Sequence, residues 1–332
     1  MKKILLLLVL SCLSGCMPTS VTFNFGADDG KLDESVVIAD AGGGPKILLI
    51  DVRGLIIDGP QKGLFSNGLG PVDDLVARLG KAEADPEVKA VVLRINSPGG
   101  SVSASDTMYR EVRRFCDKTK KPVVASLGEV AASGGYYLAL ATDRIVTQPT
   151  TITGSIGVII PTLNVSEGLS RIGITSRSIK SGANKDLANP LEPMREGHYA
   201  VLQGMVDEFY ERFKELVVSR RVNITGKLDE LTDGRVVSGA EAVRAGLADA
   251  EGDLRDSFET AKQLARLDSA QLVKYHPRGS PRPRTAYAST DLPPPSSGSS
   301  QAGDTEINLL QLRLGDVPGG LSGAGIYYLW MP

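Results

Sequence analysis

Residues 88–95, VKAVVLRI, are an almost unbroken run of β-branched and aliphatic side chains. A strand with one face in water alternates polar and apolar residues. A run this continuous is apolar on both faces and belongs in a sheet covered on both sides. KILLIDV at 46–52 and KPVVASL at 121–127 have the same character. Segments with helical spacing separate them, PVDDLVARLGKAEADP from Pro71 and SASDTMYREVRRFCDK from Ser103. DRIVTQP, SIGVIIP and TSRSIKSG read as further strands, with a helix near 165–171. A long helix is expected after Pro193, with Leu202, Met205, Phe209, Phe213 and Leu216 along its apolar face. Shorter helices fit 238–246 and 252–267. Strands and helices in alternation predict an α/β domain with largely buried strands, over residues 46–268.

The ends of the chain differ from this core. MKKILLLLVLSCLSGC begins with two lysines and a short apolar run, too short to span a bilayer. Residues 1–15 therefore read as a signal peptide. Leu13-Ser14-Gly15-Cys16 resembles the bacterial lipobox, which makes Cys16 the expected site of lipid attachment. Residues 16–45 read as a flexible tether. Residues 269–306, rich in Pro and Ser, read as a disordered linker. Residues 307–332 turn apolar again, and the tethered end IYYLWMP is a candidate occupant of a peptide groove. Once Cys12 leaves and Cys16 carries lipid, only Cys116 remains, so the mature chain is expected to form no internal disulfide. Cys116 shares a helix face with Ala104, Met108 and Val112 and reads as a buried thiol.

Composition narrows the function. A net charge of -2 and 5% aromatic residues give no basic, base-stacking surface, so no nucleic-acid partner is expected. There is no H-E-x-x-H, no C-x-x-C and no Walker or dinucleotide loop, so neither a metal nor another cofactor is expected. GEVAASGGYYLALATDRI, 128–145, sets Ser133 between two alanines and two glycines, just after a strand and before a helix-like run. Ser133 reads either as a helix cap or as a nucleophile. The chain holds two histidines, and neither is well placed to activate it: His276 falls in the Pro-rich stretch and His198 near the stripe of the long helix. Residues 131–135 are also not the G-x-S-x-G elbow.

Lysine can replace histidine as the base, provided it is neutral. A solvated lysine has a pKa of about 10.4, so an apolar pocket must lower it. IKSGANKDLANP supplies Lys180 and Lys185, and spacing does not choose between them. Acyl transfer also needs oxyanion donors. INSPGGSV ends a strand in two glycines, and Gly134 follows Ser133 at a helix start.

INSPGGSVSAS, GEVAASGGYYLALATDRI, TTITGSIGVI and IKSGANKD occur in this order. The set resembles the signal peptide peptidase A family of bacterial Ser-Lys peptidases. The resemblance implies a ClpP/crotonase-like fold of repeated strand-strand-helix units, followed by C-terminal helices. It assigns Ser133 as nucleophile, Lys185 as base and Ser155 as the residue that holds the base. Gly99, Gly100 and Gly134 match the oxyanion donors, with Gly99 and Gly100 both in play. It implies peptide substrates with small or apolar residues, such as remnant signal peptides, bound as an extended strand. The single core implies a homo-oligomer whose complete site draws on several subunits. With the lipid on Cys16, the domain is expected on the extracytoplasmic side of a bacterial membrane. A crotonase-fold acyl-thioester enzyme and a non-catalytic peptide-binding lipoprotein are the competing readings.

Overall fold

The computed structural model describes residues 32–59, 70–278, 280–288 and 326–330. The expected signal peptide and Cys16 lie outside the described residues, as does most of the expected tether.

The chain enters with strands β1 (Leu32–Ala39) and β2 (Lys46–Arg53), then helix α1 (Pro71–Ala84). Strands β3 (Val88–Ser97) and β4 (Gly99–Ser101) lead into α2 (Val102–Thr119). Strand β5 (Val123–Ala132) runs into the short α3 (Gly134–Ala139), followed by β6 (Arg144–Thr147), β7 (Ile152–Gly154) and α4 (Ser166–Arg171). The long helix is α5 (Glu196–Arg220). After it come α6 (Leu228–Leu231), β8 (Val236–Ser238), α7 (Gly239–Arg244), β9 (Ala250–Glu251), α8 (Leu254–Ala265) and β10 (Gln271–Pro277). The last element is β11 (Tyr327–Leu329).

The protein is a mixed α/β structure with a largely parallel central sheet, ordered β1-β10-β2-β3-β5-β6-β9. Strands β10, β2, β3, β5, β6 and β9 are successively parallel, and β1 is antiparallel to β10. Strand β7 extends the sheet beside the end of β5 and carries β8 on its other edge. The β-branched runs have the two-sided burial that their composition demands. Leu48, Ile50, Leu93 and Ile95 face α1, α2 and α3, whereas Ile47, Leu49, Ala90 and Val92 face α8. Local chemistry fixes the helix ends. Ser101 caps α2 by accepting from the Ala104 N–H, and Asp253 and Asp256 form a capping box on α8.

Five expectations need correction. The tether does not reach residue 45, because 32–39 form β1. The linker does not begin at 269, because 271–277 form β10 and its side chains from Leu272 to His276 are buried. Pairing on both edges orders this stretch despite the prolines that follow it. SIGVIIP contributes only an isolated bridge at Ile159, and TSRSIKSG is exposed chain without a strand. Its Ile179 is fully exposed, and no strand among the described residues pairs with this stretch. On α5 only His198, Phe213 and Val217 are buried, so Met205 does not join the core.

Candidate active site

Ser133 sits where β5 ends and α3 begins, with φ 51° and ψ -114°. Few non-glycine residues adopt such angles, and holding one there costs about 1–3 kcal/mol. The neighbourhood fixes the turn. The Ser133 N–H donates to the Gly154 carbonyl at 2.8 Å, and the Tyr137 N–H donates to the Ser133 carbonyl at 2.8 Å. Strand β7 is in turn locked to β5 by hydroxyls: Thr151 Oγ1 donates to the Gly128 carbonyl and Thr153 Oγ1 to the Ala131 carbonyl. The serine is buried, and its Oγ has no hydrogen-bond partner among the described residues. A buried unbonded hydroxyl is costly, as is a strained turn, and Ser133 combines the two.

The glycines come together around it. Gly99 has φ +104°, a conformation that favours glycine. A Cβ there would run into the Tyr328 carbonyl oxygen and lie 2.7 Å from the Gly134 nitrogen. A Cβ on Gly134 would lie 3.1 Å from the Gly100 nitrogen. Gly99, Gly100 and Gly134 thus form one corner, in which the Gly99 N–H is already donated to Ser97 Oγ at 3.0 Å. Helix α3 has six residues, so these individual N–H groups matter more than any helix dipole.

Ser155 follows the residue bonded to Ser133 and has φ 50°. Its N–H donates to the Arg235 carbonyl on the approach to β8. It lines a cleft of about 460 Å³ with Val158, Tyr210, Thr232, Leu329 and Trp330.

The structure does not bring Lys185 onto Ser133. Lys185 is exposed, and its side chain makes no hydrogen bond or ion pair among the described residues. Lys180 is already engaged by Asp186, whose carboxyl it holds below the usual carboxylate range, against an upward push from burial. An ion-paired ammonium has no lone pair for a serine proton, a distinction between the two lysines that spacing did not give. Neither histidine touches Ser133. His198 is buried beside Arg195 and the Ala183 carbonyl, and His276 lies in β10 against Ser35 Oγ. Cys116 is buried as expected, and burial pushes its thiol up to about 12.

Sequence reasoning missed the aromatic pocket next to the glycine corner. Tyr137 of α3 and Phe213 of α5 have ring centroids 5.0 Å apart, with Tyr109 5.5 Å from Tyr137. The Tyr137 hydroxyl donates to Asp106, which also accepts from Arg212. These residues come from α2, α3 and α5, and no local spacing links them. The YY of AASGGYY was the one available signal, and Tyr136 and Tyr137 look like ordinary core residues of a helix.

A buried serine on a strained strand-to-helix turn thus stands beside three glycines and a cleft. Comparison with known proteins supplies the family. The profile of Peptidase family S49 matches residues 116–268. An Enterococcus faecium protein bearing the name signal peptide peptidase SppA is 36% identical over 230 residues, covering 69% of this chain and 67% of that one. Protease 4 of Salmonella typhi is 36% identical over 239 residues, 71% of this chain but 37% of its own length. The chloroplastic serine protease SPPA of Arabidopsis thaliana is 33% identical over 230 residues, 68% of this chain and 33% of its own. The chain belongs to peptidase family S49, the signal peptide peptidase A family, and is a serine peptidase.

Proposed function

We propose that the protein is an endopeptidase that uses a Ser133–Lys185 dyad on peptides bound as an extended strand. One observation carries this reading: the unbonded Ser133 Oγ lies beside the Gly99–Gly100–Gly134 corner, with a peptide strand already paired to Gly99–Ser101. Ser133 Oγ adds to the substrate carbonyl carbon while the neutral lysine takes its proton. The oxyanion is held by the N–H groups of Gly134 and Gly100, because the Gly99 N–H already donates to Ser97 Oγ at 3.0 Å. The lysine returns the proton to the leaving nitrogen as the C–N bond breaks, and water then releases the acyl group by the same route. Ser155 orients the amine from the wall of the cleft. A lysine base works only when neutral, so the rate should climb from neutral to alkaline pH.

The exposed Lys185 needs a second copy of the chain to reach a buried Ser133. We therefore read the active form as a homo-oligomer, each site completed by a neighbour. Leu163, Ile172, Ile174, Ile179 and Leu191 support this, as they stand exposed on the segment that carries Lys185. The succession β3, β4, α2 supports a ClpP/crotonase-like strand-strand-helix unit. Among the described residues no helix is long and apolar enough to cross a membrane. Attachment is assigned to lipid on Cys16, with the domain on the extracytoplasmic side and remnant signal peptides as substrates.

The test compares wild type, Ser133→Ala, Lys185→Ala and an equimolar mixture of the two variants on one fluorogenic peptide. Each variant alone should lose activity by about 10³-fold or more. The mixture should recover part of it, because hybrid assemblies contain sites with both residues. Full activity in Lys185→Ala would remove it as the base. A mixture as inactive as its parts would place the base in the same copy as the nucleophile.

A further inference from the structure

Strand β5 does not run evenly into the turn that carries Ser133. Its pairing with β3 sets Ile95 opposite Leu127, and then Ser97 opposite Ala131. Between these pairs Gly128, Glu129 and Val130 stand against Asn96 alone. The surplus is a β-bulge of two extra residues, and an even number leaves the alternation of side chains in step. Val123, Ala125, Leu127 and Ala131 accordingly share one core, while Glu129 between them is exposed.

The bulge decides how far Ser133 reaches. With Ser97 opposite Ala131, two further residues along each chain bring Ser133 level with Gly99. Even pairing from Ile95 onward would bring Ala131 there instead. Ser133 would then overshoot the glycine corner by two residues of strand, about 7 Å. A separate distance agrees with this register: the Gly134 nitrogen lies 2.7 Å from where a Cβ on Gly99 would stand.

Side chains hold the bulge where the ladder lapses. The Asn96 carbonyl accepts from the Gly54 N–H at 3.0 Å, and its side-chain Oδ1 accepts from the Val130 N–H at 3.0 Å. From the other edge, Thr151 Oγ1 donates to the Gly128 carbonyl at 2.6 Å and Thr153 Oγ1 to the Ala131 carbonyl at 2.7 Å. Both threonines are buried, and a buried carbonyl that loses its donor is left with a costly unmade bond. Gly128 makes room for the crowding: a Cβ there would lie 3.1 Å from the Asn96 Cβ and 3.2 Å from the Ile95 carbonyl oxygen. None of these groups bonds Ser133 Oγ.

We propose that the Gly128–Val130 bulge sets the position of the nucleophile, and that Asn96, Thr151 and Thr153 are positioning residues that act through it. This rests on the reading of Ser133 as the nucleophile. The three side chains stand away from the reacting atoms, and a displacement of the serine of about 1 Å is enough to slow attack severely. Their loss is therefore read in rate rather than in substrate affinity.

The test compares the full wild-type chain with Thr151→Val, Thr153→Val, Thr151→Ser and Thr153→Ser. Valine puts a methyl of similar size in place of the hydroxyl, and serine keeps the hydroxyl. Two measurements are made on each: kcat and KM on one fluorogenic peptide, and the rate at which a fluorophosphonate probe labels Ser133, located by mass spectrometry. Each valine variant should lose about tenfold or more in kcat and in labelling rate, with KM within about twofold of wild type. Each serine variant should stay within about threefold of wild type throughout. Unchanged kcat and labelling in both valine variants would overturn the proposal, as would equal losses with valine and serine. If one valine variant does not fold, the other decides. Failure of both to fold would show that the hydroxyls serve the sheet and not the nucleophile, and would also overturn it. A wild-type chain left unlabelled at Ser133 would remove the nucleophile reading, and this proposal with it. A labelled wild type with unaffected variants would remove this proposal alone.

Discussion

Ser133 carries two costs at once, a positive φ and a buried hydroxyl without a partner. Glycine removes both. Ser133→Gly should abolish activity and stabilise the fold by about 1 kcal/mol, which for a domain of this size raises the melting temperature by about 2–4 °C. Calorimetry decides it, and a lower melting temperature would show that the serine conformation is not strained. At this scale much was legible. AASGG announced a small, crowded turn, SPGG a backbone open to a ligand, and the histidine positions excluded a conventional triad. The Lys185 environment was not legible, because exposure depends on what covers a loop. The Tyr137–Phe213 wall was not legible either, since it joins residues of two helices far apart in the chain.

At the scale of elements, continuous apolar runs gave β2, β3 and β5, and helical spacing gave α1, α2 and α5. Strand β10 escaped because QLVKYHP mixes charge, imidazole and proline. Pairing explains how it can be buried. Lys274 Nζ is engaged by Asp51 and donates to the Ala286 and Ala288 carbonyls at 3.1 and 2.7 Å. Burial still pulls its ammonium below the ordinary lysine range, against the nearby carboxylate. Removing the carboxylate leaves a buried cation beside Arg53 and Arg94. Asp51→Ala should therefore cost about 3–5 kcal/mol, read as a lower urea midpoint. A loss below about 1 kcal/mol would mean that the two carbonyls suffice.

For the whole molecule, the titration of buried groups sets an alkaline limit. Burial pushes the hydroxyls of Tyr136, Tyr137, Tyr275 and Tyr328 above the ordinary phenol range, and the Cys116 thiol to about 12. Each group has a higher pKa folded than unfolded. Its contribution is complete below the unfolded value, about 8.5–9 for the thiol and 10 for the phenols, and is lost as pH rises through the folded value. Lys81, Lys121 and Lys274, pulled down by burial, act in the opposite sense, but only up to about 10.4, and above that the buried hydroxyls and thiol decide. Stability should fall steeply above about pH 10, with tyrosinate absorbance from these residues appearing together with loss of circular dichroism. Tyrosinate rising while the fold persists would contradict their burial.

The place of β10 has a consequence in time. Strands β1 and β2 are neighbours in sequence, but in the sheet β10 lies between them. While a chain is being made, the outer edge of β2 waits for residues 271–277, and β1 has no strand to pair with until they arrive. The sheet that carries the nucleophile is closed by one of the last parts of the domain to be synthesised. A chain stopped short of residue 271 would contain every residue assigned to catalysis and still present an open strand edge. Its fate is to find that missing strand in another molecule, as aggregation, rather than to work as a smaller peptidase.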